Sequence, residues 1–291
     1  MKTQAERCHQ CGGALDETTR ELVVEAPDFE YASQPGDFQL ARCKHCGHVY
    51  LDPLPEPEAI PALYPETYYT VNPDSPLYLQ GMIYRTKITR DVRRMLKYFG
   101  PSGVRSVVDI GCGDTARLFA FQELLPEEVQ IVGVDLQFRE PIVQKAAEHG
   151  VRLVEGNLEV DLDGLADDGQ DFMMMCQLIE HLRDPRRALG VLLDKLSPGG
   201  RLLIETPNRG GLDFRLFRKR FWGGYHIPRH FHLYTQDSLR ELCESVGYRV
   251  VSQGSLPSPG FWIISLRNML GLNSARSSGR WLEFLSFSNL L

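Results

Sequence analysis

The chain is short of several things, and each shortage excludes a class. Its 291 residues contain no apolar run approaching 18, so no membrane-spanning helix is written in them. The opening residues, Met1 to Arg7, lack the apolar stretch of a signal peptide, which sets the cytosol as the expected compartment. No internal repeat or low-complexity tract occurs. Basic residues are not in excess: 32 Lys and Arg face 38 Asp and Glu, a net charge of −6. A protein held to nucleic acid by global attraction is therefore not expected, although a local basic cluster survives that argument. Seven cysteines are too few for a disulfide framework. What remains is a chain long enough for one full α/β domain with attachments.

The cysteines are few but unevenly placed. Four form two pairs, Cys8-x-x-Cys11 and Cys43-x-x-Cys46, each followed by glycine (Gly12 and Gly47). A Cys-x-x-Cys turn aims two thiolates at one point, and two such turns supply the tetrahedral four-sulfur shell that Zn²⁺ accepts. The 31 residues between the pairs exceed the usual zinc-ribbon gap, and Glu21–Phe38 is expected to make an extended hairpin inside it. Two unrelated thiol pairs or a redox site are the competing readings. His9, His45 and His48 lie nearby as substitute ligands. A closed four-cysteine shell stabilises folding and leaves no position open for chemistry.

Three regions follow from composition: a zinc-binding module at 1–50, a Pro/Tyr-rich linker and helix at 51–100, and a larger α/β domain at 101–291. Prolines at 53, 55, 57, 61, 65, 73 and 76 exclude a helix interior or central strand. Val92, Met95, Leu96 and Phe99 recur at helical spacing within a predicted helix at 79–99. From residue 104 strands and helices alternate: strands at 104–110, 130–136, 151–155, 172–177 and 201–205, helices at 116–125, 141–149, 185–196 and 235–246. That order predicts a Rossmann-like, doubly wound, mostly parallel sheet covered on both faces. Further strands are expected at 249–252 and, antiparallel, at Trp262-Ile263-Ile264. Residues 208–234 are too long for a plain connector and read as a lid insertion, and 255–291 as a C-terminal extension.

The first strand of this domain ends in Asp109-Ile110-Gly111-Cys112-Gly113-Asp114, and the second in Gly133-Val134-Asp135. Glycines let the backbone turn sharply beside a ligand, and an acid at the next strand end can accept hydrogen bonds from both ribose hydroxyls of an adenosine. A third glycine, which a pyrophosphate would need, is absent: Asp114-Thr115-Ala116 stands there. Asp109, Asp114 and Asp135 together repel a diphosphate and suit a ligand bearing a sulfonium and an ammonium, such as S-adenosylmethionine.

These segments resemble the class I S-adenosylmethionine-dependent methyltransferases, in the broad small-molecule group related to ubiquinone-biosynthesis enzymes. The resemblance also rests on Cys176-Gln177-Leu178-Ile179-Glu180-His181-Leu182-Arg183-Asp184-Pro185, Leu196-Ser197-Pro198-Gly199-Gly200 and Glu205-Thr206-Pro207-Asn208. With the four cysteines added, the chain is similar to zinc-containing sugar C-methyltransferases. The resemblance implies that Asp109, Gly111, Cys112, Gly113 and Asp114 line the methionine part of the donor, that Asp135 takes the ribose with Leu136 beside the adenine, that Asn157 and Leu158 flank the adenine, and that Cys176 and Gln177 lie under the sulfonium. Thr115 departs from the family's common glycine. Gln177 is neutral where ubiquinone-type enzymes carry a metal-holding glutamate, which argues against a catalytic magnesium.

Methyl transfer to an alcohol or carbon acid needs a base near neutral pH. His181 follows the fourth strand at the carboxyl edge of the sheet and is the first candidate; tying down the next helix is the bland reading. His230 and then His232 follow, within Tyr225-His226-Ile227-Pro228-Arg229-His230-Phe231-His232, where an ordinary packed cap is the alternative. Between 201 and 232, seven basic residues face only Glu205 and Asp213, which suits either a solvated face or an anionic acceptor such as a nucleotide-linked sugar or a phosphorylated lipid. The apolar tail ending in Leu291 reads as core packing, a homodimer contact or a peripheral membrane helix. Three rivals stand beside a small-molecule methyltransferase: a zinc-module RNA methyltransferase, an NAD-dependent oxidoreductase and a non-catalytic donor-binding protein.

Overall fold

The computed structural model describes residues 6–64, 82–99, 103–160 and 162–272. Tyr68, Tyr69 and Tyr78 of the linker, the start of the helix expected from 79, and the tail from 273 lie outside the described residues. The chain forms two compact units. One takes residues up to 78 together with 180–186 and 207 onward; the other takes 79–179 and 187–206.

The second unit is the α/β part. Strands β4 (Ser106–Ile110), β5 (Gln130–Asp135), β6 (Arg152–Glu155), β7 (Gln170–Cys176) and β8 (Leu196–Glu205) form a five-stranded sheet in the order β6-β5-β4-β7-β8, with every pair parallel. Helices α1 (Met82–Met95), α2 (Ala116–Leu124), α3 (Glu140–Glu148) and α4 (Pro185–Lys195) accompany it. The expected Rossmann-like parallel sheet is present. Phe172, Met173, Met174 and Met175 of β7 are all fully buried, as a strand covered on both faces must be. Ile88, Val92 and Met95 bury one stripe of α1 at i, i+4 and i+7, and Phe99 beyond its end packs against Phe121 and Phe172. After β6 the chain crosses back over β4 to reach β7. That reversal makes the carboxyl ends of β4 and β7 the switch point where ligands bind in such sheets.

The first unit is built on a four-stranded antiparallel sheet. It contains β1 (Arg20–Pro27), β2 (Asp37–Cys43), β3 (Val49–Leu51) and β9 (His232–Leu233), in that order. β1 and β2 are the hairpin expected between the cysteine pairs, although β2 runs on to Cys43 itself. β9 comes from the segment read as a lid, and pairs with β3 through Val49↔Leu233 and Tyr50↔His232. Trp222, Tyr225, Ile227 and Phe231 join Val24, Leu40 and Leu51 in one core, so this stretch is built into the sheet that also carries the cysteines. Between them lie helix α5 (Leu212–Phe217) and the turn Gly223–Tyr225; α6 (Gln236–Val246) and α7 (Pro259–Met269) follow.

Two expected strands are absent. Residues 249–252 form neither strand nor helix, and Trp262-Ile263-Ile264 lies inside α7. The apolar run hid a helical face: Pro259 opens the helix, and Phe261, Ile264, Ser265 and Asn268 recur at i, i+3, i+4 and i+7. Gly223 lets α7 close in. A Cβ there would lie 2.8 Å from both Ile264 Cβ and the Phe261 carbonyl oxygen.

Candidate active site and metal centre

The four cysteines converge. Their sulfurs lie within 4.8 Å of one another, with Cys8 Sγ 3.7 Å from Cys46 Sγ and Cys11 Sγ 3.9 Å from Cys43 Sγ. No pair approaches the ~2.05 Å of a disulfide. A tetrahedron with Zn–S bonds of ~2.3 Å has edges of ~3.8 Å, so the spacing fits the metal. The two knuckles are copies of one turn. Gly12 N–H donates to the Cys8 carbonyl and Gly47 N–H to the Cys43 carbonyl, each at 2.8 Å, with both glycines in the left-handed region. Hydrogen bonds from Cys46, Cys11 and Gln10 hold the Cys8 thiol down at about 5 against its burial. His45 and His9 are not needed in the shell. His48 is buried and turned to His232.

At the switch point of the second unit, Asp109, one residue before the end of β4, is fully buried. Arg117 of α2 reaches it, Nη1 donating to Oδ2 at 2.7 Å. Burial raises the Asp109 carboxyl above its usual range, and Arg117 opposes that rise. The three-aspartate cradle expected from the sequence is therefore partly neutralised by a residue that sequence reasoning missed. Its spacing from Asp109, two turns of loop and helix away, was the available signal. Asp109 Oδ1 accepts no hydrogen bond among the described residues. Asp135 Oδ2 accepts from Gly113 N–H at 2.9 Å, and Oδ1 from Leu136 N–H at 2.8 Å. Gly113 has a positive φ of 55°, and a Cβ there would meet nothing within 4 Å. Asp114 Oδ1 accepts from Ala116 N–H at the start of α2. Leu136 is exposed, Asn157 is exposed and Leu158 is buried. Cys176 is buried at the end of β7, and burial pushes its thiol up to about 12, so it stays protonated. Gln177 follows it with a φ of 55°, its N–H held by the Glu205 carbonyl. All these residues belong to one unit, as the resemblance required of a donor site.

The histidines gather in the first unit. His181 and His230 meet edge to face with ring centroids 4.6 Å apart, and His230 Nε2 lies 3.8 Å from Glu180 Oε1. His230 Nδ1 faces the Gly224 carbonyl at 2.9 Å, so it carries the hydrogen and Nε2 keeps the lone pair. His181 Nδ1 lies 3.0 Å from the Tyr64 hydroxyl. Burial drops His181 to about 3 and takes His230 well below its usual value, so both rings are neutral at pH 7. His232 stands elsewhere: it is buried between His48 Nε2 at 3.0 Å and the Arg183 carbonyl at 3.4 Å, both ring nitrogens occupied. The structure separates it from the other two.

Sequence reasoning also missed the frame around this cluster. Arg229 is fully buried and forms a bidentate pair with Asp28, at 2.7 and 2.9 Å. Its Nε donates to His226 Nε2 at 3.0 Å, while His226 Nδ1–H donates to Glu30 at 2.8 Å. His226 thus has no nitrogen left to act as a base. Asp28 and Glu30 lie about 200 residues from their partners, 201 and 196 in sequence separation, and no local pattern announces such pairs.

The family profile of a methyltransferase domain matches residues 82–253, and the chain belongs to that family. It thereby falls in the class of S-adenosylmethionine-dependent methyltransferases with a Rossmann-like sheet. Among curated relatives, the ubiquinone biosynthesis O-methyltransferase of Dinoroseobacter shibae is 27% identical over 216 residues, 67% of this chain and 83% of that protein. The tRNA U34 carboxymethyltransferase of Desulfotalea psychrophila is 28% identical over 48% of this chain and 45% of its own length. A solved SAM-dependent methyltransferase from Archaeoglobus fulgidus is 24% identical with a TM-score of 0.44, over 65% of this chain and 87% of that one.

Proposed function

We propose that this protein transfers the methyl group of S-adenosylmethionine to a small-molecule acceptor through oxygen or carbon, and that a zinc ion in the Cys8, Cys11, Cys43, Cys46 shell holds its first unit in shape. The observation that carries the donor reading is the turn from Asp109 to Asp114 beside Asp135. It offers open space at Gly113, a carboxylate at the neighbouring strand end and a buried acceptor on Asp109 Oδ1. That set fits an adenosyl ligand bearing an ammonium, and the missing third glycine disfavours a diphosphate.

In this reading Asp135 binds the ribose hydroxyls, Leu136, Asn157 and Leu158 border the adenine, and Gly111–Asp114 with Cys176 and Gln177 hold the methionine end. The donor, when bound, supplies a methyl group on a sulfonium that leaves readily. The acceptor's proton goes to His230 Nε2, the nitrogen whose lone pair the Gly224 carbonyl leaves available. The Glu180 carboxylate at 3.8 Å steadies the imidazolium that forms. Tyr64 orients His181, which takes the second place as base. A ring held neutral by burial is a weak base, so an acidic acceptor, a phenol or a carbon acid beside a carbonyl, matches it better than a simple alcohol. Of the basic run, Arg229 is spent on Asp28 and Arg209 on the carbonyls of Leu233 and Gly47, so neither is offered to an anionic acceptor. Only part of the length of the tRNA-modifying relative is matched, and the net charge of −6 opposes an RNA acceptor.

Calorimetric titration with S-adenosylmethionine tests the donor site. Asp135→Ala is expected to weaken binding about 10- to 100-fold, the worth of ~1.5–3 kcal/mol for hydrogen bonds to a charged group. Binding of NAD in its place, or equal affinity in the variant, overturns the reading. Incubating the labelled donor with a metabolite extract then identifies the acceptor, and His230→Ala and His181→Ala report the base.

A further inference from the structure

Helix α7 buries polar side chains beside Phe261 and Ile264 and leaves large apolar ones exposed. Its inward face carries the polar side chains Ser265, at 0% exposed, and Asn268, at 5%, with Ser265 Oγ accepting from Gly223 N–H. Its outward side leaves Leu266, Met269 and Leu270 in water, Leu270 at 61%. A helix whose outer side meets only water carries polar residues there. Next to it stands α5, joined by the Phe217 and Trp262 rings 5.9 Å apart, and α5 exposes Leu212 at 64% and Leu216 at 61%. Five large apolar side chains therefore project from two adjacent helices of one unit.

The charge beside them is of one sign. Arg215, Arg218, Lys219 and Arg220 are all exposed within six residues, and no ion pair among the described residues engages Arg215, Arg218 or Lys219. Asp213, the acid of the same stretch, is turned to Trp222, whose Nε1 donates to it at 2.7 Å. The chain as a whole is acidic, so this cluster runs against the bulk charge.

We infer that the α5–α7 face docks on an anionic lipid surface, its leucines entering the headgroup boundary while the four cations meet acidic headgroups. A second copy of the chain fits less well, because a symmetric contact would bring the same cations face to face. No described helix is long and apolar enough to cross a membrane, so the attachment is peripheral.

Flotation with vesicles tests this, using phosphatidylcholine alone against phosphatidylcholine mixed with phosphatidylglycerol. The full chain should float with the mixed vesicles and much less with the neutral ones, and added salt should release it. Arg218→Glu with Lys219→Glu, and separately Leu216→Glu with Leu266→Glu, should each lower the bound fraction by about tenfold or more. These side chains are exposed, and an unchanged melting temperature verifies that the variants fold. A wild-type chain that stays behind with the mixed vesicles overturns the proposal, as does flotation unchanged in both pairs. A dimer seen by light scattering, dissolved by the leucine substitutions in a chain that does not float, reassigns the face to a second copy.

Discussion

The two units bury their interiors by different means. The α/β unit fills its centre with hydrocarbon: β7 contributes Phe172, Met173, Met174 and Met175 in succession, none exposed. The antiparallel unit has strands as short as two and three residues in β9 and β3, and buries Arg229, Asp28, Glu180, His48, His230 and His232. That unit has an apolar core of its own around Trp222, Tyr225, Phe231 and Leu40, and adds buried polar contacts to it. Among those contacts is the Arg229–Asp28 pair, and the four cysteine sulfurs gather in the same unit. The contrast teaches that one chain can carry a unit centred on hydrocarbon and another that adds buried ion pairs and histidines to its apolar core. On the zinc reading proposed above, the second kind responds far more to metal and pH.

Removing the metal should show the largest effect. Structural zinc contributes on the order of 10 kcal/mol or more to folding small modules. A chelator, or Cys43→Ser, should expose the backbone of residues 20–51 to rapid hydrogen exchange while the strands around Asp109 stay protected. Elemental analysis should find one zinc per chain; equal protection with and without chelator would erase the contrast. Next comes the buried pair. Arg229→Met leaves the Asp28 carboxylate buried alone and should cost about 3–5 kcal/mol in urea unfolding, with Asp28→Leu restoring part of it. The corresponding change in the other unit, Met174→Ala, should cost about 2–5 kcal/mol through a cavity, and should do so equally at any pH where the chain is folded.

Acid sharpens the difference further. His181 and His230 are neutral when folded and sit below their unfolded value of ~6.5. Their contribution is whole above that pH and is lost as pH falls, for His181 down to its folded value of about 3. Each group adds a slope of about 1.4 kcal/mol per pH unit in that window. Burial would raise Asp28, but Arg229 and Ser33 outweigh it and hold it at about 2, so its share is present above ~4 and disappears below. Denaturation by acid should begin below about pH 6 in the antiparallel unit, where seven of the eight histidines lie. A pH-independent exchange rate there would refute the assignment. The smallest effect belongs to the donor turn. Gly113→Ala should cost about 1–2 kcal/mol for its left-handed backbone alone. Gly111→Ala should cost more, because Leu178 Cδ2 would lie 2.9 Å from the new Cβ.

Legibility divided along the same line. The parallel sheet could be read because its signals are local: a glycine turn after β4, an acid 22 residues past Gly113 and alternating strands and helices. The cysteine shell could be read because each knuckle is four residues long. The strand expected at 262–264 failed because a short apolar run is ambiguous in period, and Pro259 with the face of Ser265 and Asn268 settled it as a helix. Arg117 beside Asp109 changed the charge of the turn that follows β4, and nothing in a count of aspartates could show that.

Sequence alone determined the methyltransferase sheet, its switch-point turn and the two sulfur knuckles, because each is closed by residues a few positions apart whose backbone geometry follows from residue type. Tertiary structure alone decided that His226 and His232 have no nitrogen to spare, and that the leucines of α5 and the end of α7 stay exposed. Those outcomes depend on contacts between residues as far apart as Glu30 and His226, whose meeting is set by the folding of the antiparallel unit and not by any spacing along the chain.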